Sequence, residues 1–180
     1  MFSGLALWGF LLFLCASPGR AFELWSPDFP SGGEIPRRHT CDGEDLSPAL
    51  RWKDVPAGTK SLALVVEDPD APRGVWVHWL LYDLDPELSG LEQGVSRDAS
   101  LESGAKQGKN DFGRLGYGGP CPPPGDRPHR YVFRLYALDA PLGLPPGASK
   151  EEVRSAAERH ARASAEYTGR YARPRAPTSP

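Results

Sequence analysis

The chain has 180 residues, 39% of them hydrophobic and 24% charged, with a formal net charge of −2. That length and apolar content fit one globular domain with a core of its own and exclude a disordered chain, while the absence of a basic excess removes the electrostatic footprint of a nucleic-acid binder. Twenty prolines and twenty glycines exclude a helical bundle and point to a β-rich fold of short strands and many turns.

Residues 2–16 carry no charge and are dominated by Leu, Phe, Trp and Ala, and small residues follow at Gly19 and Ala21. The pattern is that of a secretory signal peptide cut near Ala21, and the apolar run is shorter than the roughly 20 residues a spanning helix needs. The expectation is a secreted or periplasmic protein with residues 1–21 removed, a domain over residues 22–173, a flexible tail over 174–180, and no transmembrane span after cleavage. Cleavage removes Arg20, the one charged side chain of the segment, and moves the formal charge from −2 to −3. Cys41 and Cys121 remain, an even pair that in an exported protein reads first as a disulfide, with two separate buried thiols as the alternative.

Residues 22–28 read as a first strand, and a turn-rich stretch leads through Cys41 and Asp45 to Pro48. A short strand at residues 50–52 precedes the first strong apolar run, Ser61 to Glu67. That run ends in Asp68-Pro69-Asp70-Ala71-Pro72, a rigid turn holding carboxylates at a strand end. The second strong strand, Val75 to Tyr82, is almost wholly apolar and contains His78. Strict alternation puts His78 on one face with Trp76 and Leu80; Trp76, Trp79 and Tyr82 read as core. Residues 83–94 read as a loop, and residues 95–119 as a long glycine-rich loop with Phe112 and Tyr117 among its distinctive parts. The proline-rich stretch 120–125 leads into a third strong strand, His129 to Leu138. Ser149 with Glu152 forms a capping box, and the alanines that follow extend the expected helix to about Gly169.

Asp68, His78 and His129 are the chemically distinctive residues. As two histidines and a carboxylate they match a metal triad in type, but their spacing lacks any local ligand signature. No GxSxG elbow, activated nucleophile or P-loop ending accompanies them, so the chain is expected to have no catalytic residue, no metal and no cofactor. Two histidines can donate to an oxyanion, backbone N–H groups at Gly118, Gly119 and Cys121 can add to them, and Asp68 can orient a histidine or meet a ligand ammonium group. Together they describe a pocket for a phosphate-type or other anionic small ligand.

Four separated motifs, Asp68-Pro69-Asp70-Ala71-Pro72, Val77-His78-Trp79, the stretch from Tyr117 to Gly125, and His129-Arg130-Tyr131-Val132-Phe133, occur in an order that resembles the phosphatidylethanolamine-binding proteins, also called Raf kinase inhibitor-like proteins. The stretch from Cys41 to Pro48 is similar to that family's bacterial and archaeal branch, with Asp45 where that branch often has Asn. The resemblance covers residues 22–173. It implies an antiparallel β-sandwich with a C-terminal helix and long irregular loops. It also implies a pocket for phosphate-like anions or a phosphoethanolamine lipid head group, formed by Asp68, Asp70, Pro72, His78, His129 and Tyr131 with the backbone around Gly119 and Cys121. The expected role is non-enzymatic binding. Two alternatives stay open: a secreted protease or kinase inhibitor that engages a protein partner through the 113–125 loop, and a metal-assisted hydrolase.

Overall fold

The computed structural model describes residues 20–175. The expected signal segment before residue 20 and the tail beyond 175 lie outside the described residues. Among the described residues eight strands form two antiparallel sheets. The smaller has the order β1 (Glu23–Trp25), β2 (Leu50–Lys53), β5 (Gly90–Leu91). The larger has the order β6 (Lys106–Gln107), β4 (Trp76–Leu84), β3 (Ser61–Asp68), β7 (His129–Leu138), β8 (Ala161–Tyr171). The α-helix α1 (Lys150–His160) follows β7.

The three long apolar runs become the three central strands, as their composition requires: β3 is buried at all eight positions, so neither of its faces meets water. Two cores result. Leu62, Leu64 and Val66 of β3 pack with Phe133 and Leu135 of β7 and with Leu24, Leu50 and Trp52 of the small sheet. On the other face Ala63 and Val65 pack with Leu80, Tyr82, Leu138 and the helix residues Val153 and Ala157. The molecule therefore has three layers, small sheet, large sheet and helix.

The capping box forms as expected, with Ser149 Oγ accepting from the Glu152 amide and the Glu152 carboxylate accepting from the Ser149 amide. The helix does not reach Gly169. It ends at His160, and Ala161–Tyr171 is an edge strand paired with β7 throughout. The expected helix is thus present but shorter, and among the described residues a strand follows it. The odd positions Ala165, Tyr167, Gly169 and Tyr171 are buried, and Arg162, Ser164, Glu166 and Arg170 are exposed, which is a strand's period of two. A short 3-10 turn, Arg37–His39, lies in the turn-rich stretch that leads to Cys41.

Strict alternation fails at His78. Val66 pairs with Trp79 and Glu67 with Val77, so His78 is an extra residue in β4. This β-bulge leaves Val77 and Leu80 both in the helix-side core, while Trp79 lies in the inter-sheet core. His78 therefore does not share a face with Leu80; its ring meets Tyr131 of the inter-sheet core at 5.1 Å between centroids.

Candidate functional site

The bulge lies beside the C-terminal end of β3 and the start of β7, and these three places bring Asp68, His78 and His129 together. All three line one cavity of about 200 Å³ with Ala71, Pro72, Trp76, Phe112, Cys121, Pro122 and Pro123. The three are 3%, 2% and 3% exposed. The cavity is far larger than the roughly 10–15 Å³ that one water needs.

Loop 109–118 holds the bulge in place. Val77 N–H donates to Asp111 Oδ2 at 2.8 Å, Asp111 N–H to the Val77 carbonyl at 3.0 Å, and Gly118 N–H to the His78 carbonyl at 2.9 Å. Asn110 braces the loop from within: its side chain donates to the Gly116 carbonyl and accepts from the amides of Phe112 and Arg114. Phe112 is thereby laid edge-on against both Trp76 and His78, at 5.4 and 5.2 Å.

The hydrogen bonds fix both histidine tautomers. His78 Nδ1 lies 2.6 Å from the Gly118 carbonyl, which can only accept, so Nδ1 carries the proton and Nε2 is left for a ligand. His129 Nδ1 lies 2.8 Å from Asp68 Oδ2 and likewise donates, leaving Nε2, which stands 3.7 Å from Asp126 Oδ2 at the exposed rim. Asp68 is doubly engaged, since Oδ1 accepts the Asp70 amide at 2.8 Å. Burial disfavours the charged imidazolium and lowers the pKa of His78, against the opposing pull of the Gly118 carbonyl and the Asp68 charge.

The remaining expected residues have other positions. Asp70 turns away from the cavity and grips Arg130 through Nε and Nη2 at 2.8 and 2.9 Å; this pairing outweighs the opposing effect of its partial burial and holds its carboxyl well below the usual carboxylate range. Gly119 is not free to donate to a ligand, because its N–H is taken by Asp45 Oδ1 at 2.6 Å. Gly118 N–H is engaged as well. Tyr131 stands behind His78 as core, its hydroxyl buried and its pKa raised by that burial. Pro72 and Cys121 line the cavity.

Cys121 is bonded to Cys41 across 80 residues of sequence, the expected disulfide, and it anchors one wall to the 3-10 turn. Asp45 is the neighbouring anchor. It takes up a left-handed backbone (φ 58°), accepts Gly119 N–H, and binds Arg97 and Arg114 at 2.7 and 2.8 Å. Sequence reasoning missed the lining roles of Phe112, Trp76 and Ala71 and the hub at Asp45. Phe112 carried a usable signal, as a lone large apolar residue in a polar glycine-rich loop.

Residues 25–172 match the family Phosphatidylethanolamine-binding protein over most of the chain. The chain belongs to that family. A relative in Methanothermobacter thermautotrophicus, called a UPF0098 protein, is 53% identical over 145 residues, covering 81% of this chain and 95% of the relative. A UPF0098 protein of Aquifex aeolicus is 50% identical over 141 residues, covering 78% and 82%. Among solved structures, Escherichia coli YbcL, described as a member of the mammalian PEBP family, superposes with a TM-score of 0.80 at 37% identity, covering 84% of this chain and 98% of that one. The putative homologue CT736 of Chlamydia trachomatis gives 0.75 at 42% identity, covering 84% and 97%. Membership in this family supports a small-ligand binding protein with a β-sandwich frame, and the cavity of Asp68, His78 and His129 is the candidate binding site.

Proposed function

We propose that this protein binds a phosphorylated small ligand, such as a phosphoethanolamine head group, without chemical turnover. The observation that carries the reading is the matched orientation of the two buried histidines, each with Nδ1 committed to the protein and Nε2 left over in one cavity. Two imidazoles so held can present two N–H donors to one oxyanion once protonated, at positions fixed before the ligand arrives. Asp68 counters the charge of His129 directly, and Trp76, Phe112, Pro72, Pro122 and Pro123 supply apolar surface for whatever carries the anion.

The same orientation makes binding proton-linked. In the neutral histidines both Nε2 atoms are acceptors, and an anion without a proton would face lone pairs. Binding must therefore bring a proton, either on His78 or His129 or on the ligand itself. A phosphodiester keeps one charge between pH 5 and 8, so its affinity should fall by about tenfold per pH unit above the pKa of the histidine in the free protein and level off only above its pKa in the complex. Calorimetric titration of glycerophosphoethanolamine at several pH values, in buffers of different ionisation enthalpy, tests this.

Asp68 works against the hydrolase alternative as a metal ligand, because both of its oxygens already accept hydrogen bonds. The inhibitor alternative needs a protruding 113–125 loop, whereas residues 116–120 are buried within it. We place the protein outside the cytoplasm on its leader-like N-terminus, which membrane fractionation of expressing cells checks.

A further inference from the structure

The proline-rich stretch that walls the cavity ends in a tight turn. The Asp126 N–H donates to the Pro123 carbonyl at 3.2 Å, and Gly125 takes the positive φ (84°) that a type II turn places at its third residue, after a proline at the second. The Gly125 N–H donates to the Arg173 carbonyl at 3.0 Å, which ties the turn to the chain beyond β8. Asp126 is thereby held at the cavity rim, its Oδ2 3.7 Å from Nε2 of His129, the ring nitrogen left for a ligand. The neighbouring carboxylates are engaged: Asp68 accepts from the Asp70 amide and His129, Asp70 grips Arg130, and Asp111 accepts from the Val77 amide and pairs with Lys150 at 2.8 Å. Among the described residues the exposed Asp126 carboxylate accepts no hydrogen bond and meets no lysine or arginine; its one charged neighbour is the cavity histidine.

An anion drawn onto the two Nε2 atoms comes to rest beside that carboxylate. Like charges repel there, whereas a ligand that carries a cation next to its anion sets the cation against Asp126. In an ethanolamine phosphodiester two carbons join the ammonium to the ester oxygen, a tether short enough to keep both charges at the cavity mouth. Asp68 is the poorer partner for the ammonium, since it is buried and both of its oxygens already accept hydrogen bonds. The geometry points to Asp126 as the specificity-determining residue of the pocket: it accepts the ammonium of a zwitterionic phosphodiester and disfavours diesters whose alcohol is uncharged. The assignment rests on the anion-binding reading above and adds which anions the pocket admits.

Calorimetric titration of the intact chain at one pH compares glycerophosphoethanolamine with glycerophosphoglycerol, two diesters of equal phosphate charge of which only the first carries an ammonium. Both make the same demand for a proton on the histidines, so the ratio of their affinities cancels that demand, together with any change in His129 proton affinity that a substitution at Asp126 brings. The wild type is expected to favour the ethanolamine ester about fivefold, the scale of one partly exposed ion pair, and Asp126→Asn, which keeps the turn's backbone hydrogen bond and the side chain's shape, should bring the ratio to about one. The same pair as dihexanoyl phospholipids below their micelle concentration separates the sources of the group: tighter binding than the glycerol diesters assigns it to a lipid, equal binding to a free diester, and the dependence on Asp126 is expected in both. A wild type that binds neither diester removes the anion-binding reading and this assignment with it. Equal affinities in the wild type, or a preference that survives in Asp126→Asn, leave that reading standing and overturn the role of Asp126.

Discussion

At residue scale, the cavity depends on glycine and histidine positions that allow little change. A Cβ on Gly119 would lie 2.4 Å from the His39 carbonyl oxygen and 2.8 Å from Thr40 Cα, both backbone atoms. Gly119→Ala must push the 117–121 segment off the 3-10 turn, and a loss of about 1–3 kcal/mol is expected in urea unfolding. Buried His39 and His78 both have lowered pKa values, chiefly through desolvation. Between those lowered values and the unfolded value near 6.5, the unfolded chain binds more protons than the native one, so stability rises with pH across that window. Acidification below about pH 6.5 should therefore lower the melting temperature progressively. A saturating phosphodiester should flatten that decline, because the bound anion favours a proton on the native histidines.

At element scale, the sequence was most legible where period and propensity agreed. The runs from Ser61, Val75 and His129 are the central strands, with ends within about two residues of expectation. Ala161–Tyr171 was misjudged because alanine's helix propensity outweighed an alternation that was present, with Arg162, Ser164 and Glu166 against Ala161, Ala163 and Ala165. The bulge at His78 was not legible in this single sequence, since it arises from loop 109–118 claiming the backbone groups of Val77 and His78. For the same reason Asp45 could not be matched to Arg97 and Arg114, which lie 52 and 69 residues away. The capping box, which was read correctly, gives a direct test: Ser149→Ala should lower stability by about 1 kcal/mol with little effect on the distant cavity.

At the scale of the whole molecule, the cavity sits where three separate parts of the chain meet at one end of the inter-sheet core, and the disulfide ties its Cys121 wall to Cys41 beside the 3-10 turn. Because Cys41–Cys121 closes 80 residues, replacing both cysteines with serine should cost about 2–4 kcal/mol, read as a lower denaturant midpoint. Cys121 also lines the cavity, so phosphodiester affinity should fall in the same variant even at temperatures where it remains folded. The family fold and the convergence of Asp68, His78 and His129 were both legible from separated motifs. Of the other expected site residues, Asp70 is paired with Arg130, the Gly119 N–H with Asp45, and Tyr131 is buried beside His78.

The central claim is that two buried histidines with committed Nδ1 atoms capture an anion by taking up a proton. The most direct measurement is ¹⁵N NMR of the imidazole rings during titration with glycerophosphoethanolamine at pH 7. The account predicts that His78 or His129 moves to the imidazolium form on saturation, that calorimetry records matching proton uptake, and that His78→Gln with His129→Gln abolishes both. Ring nitrogens that keep their free-state shifts while the ligand binds would contradict it.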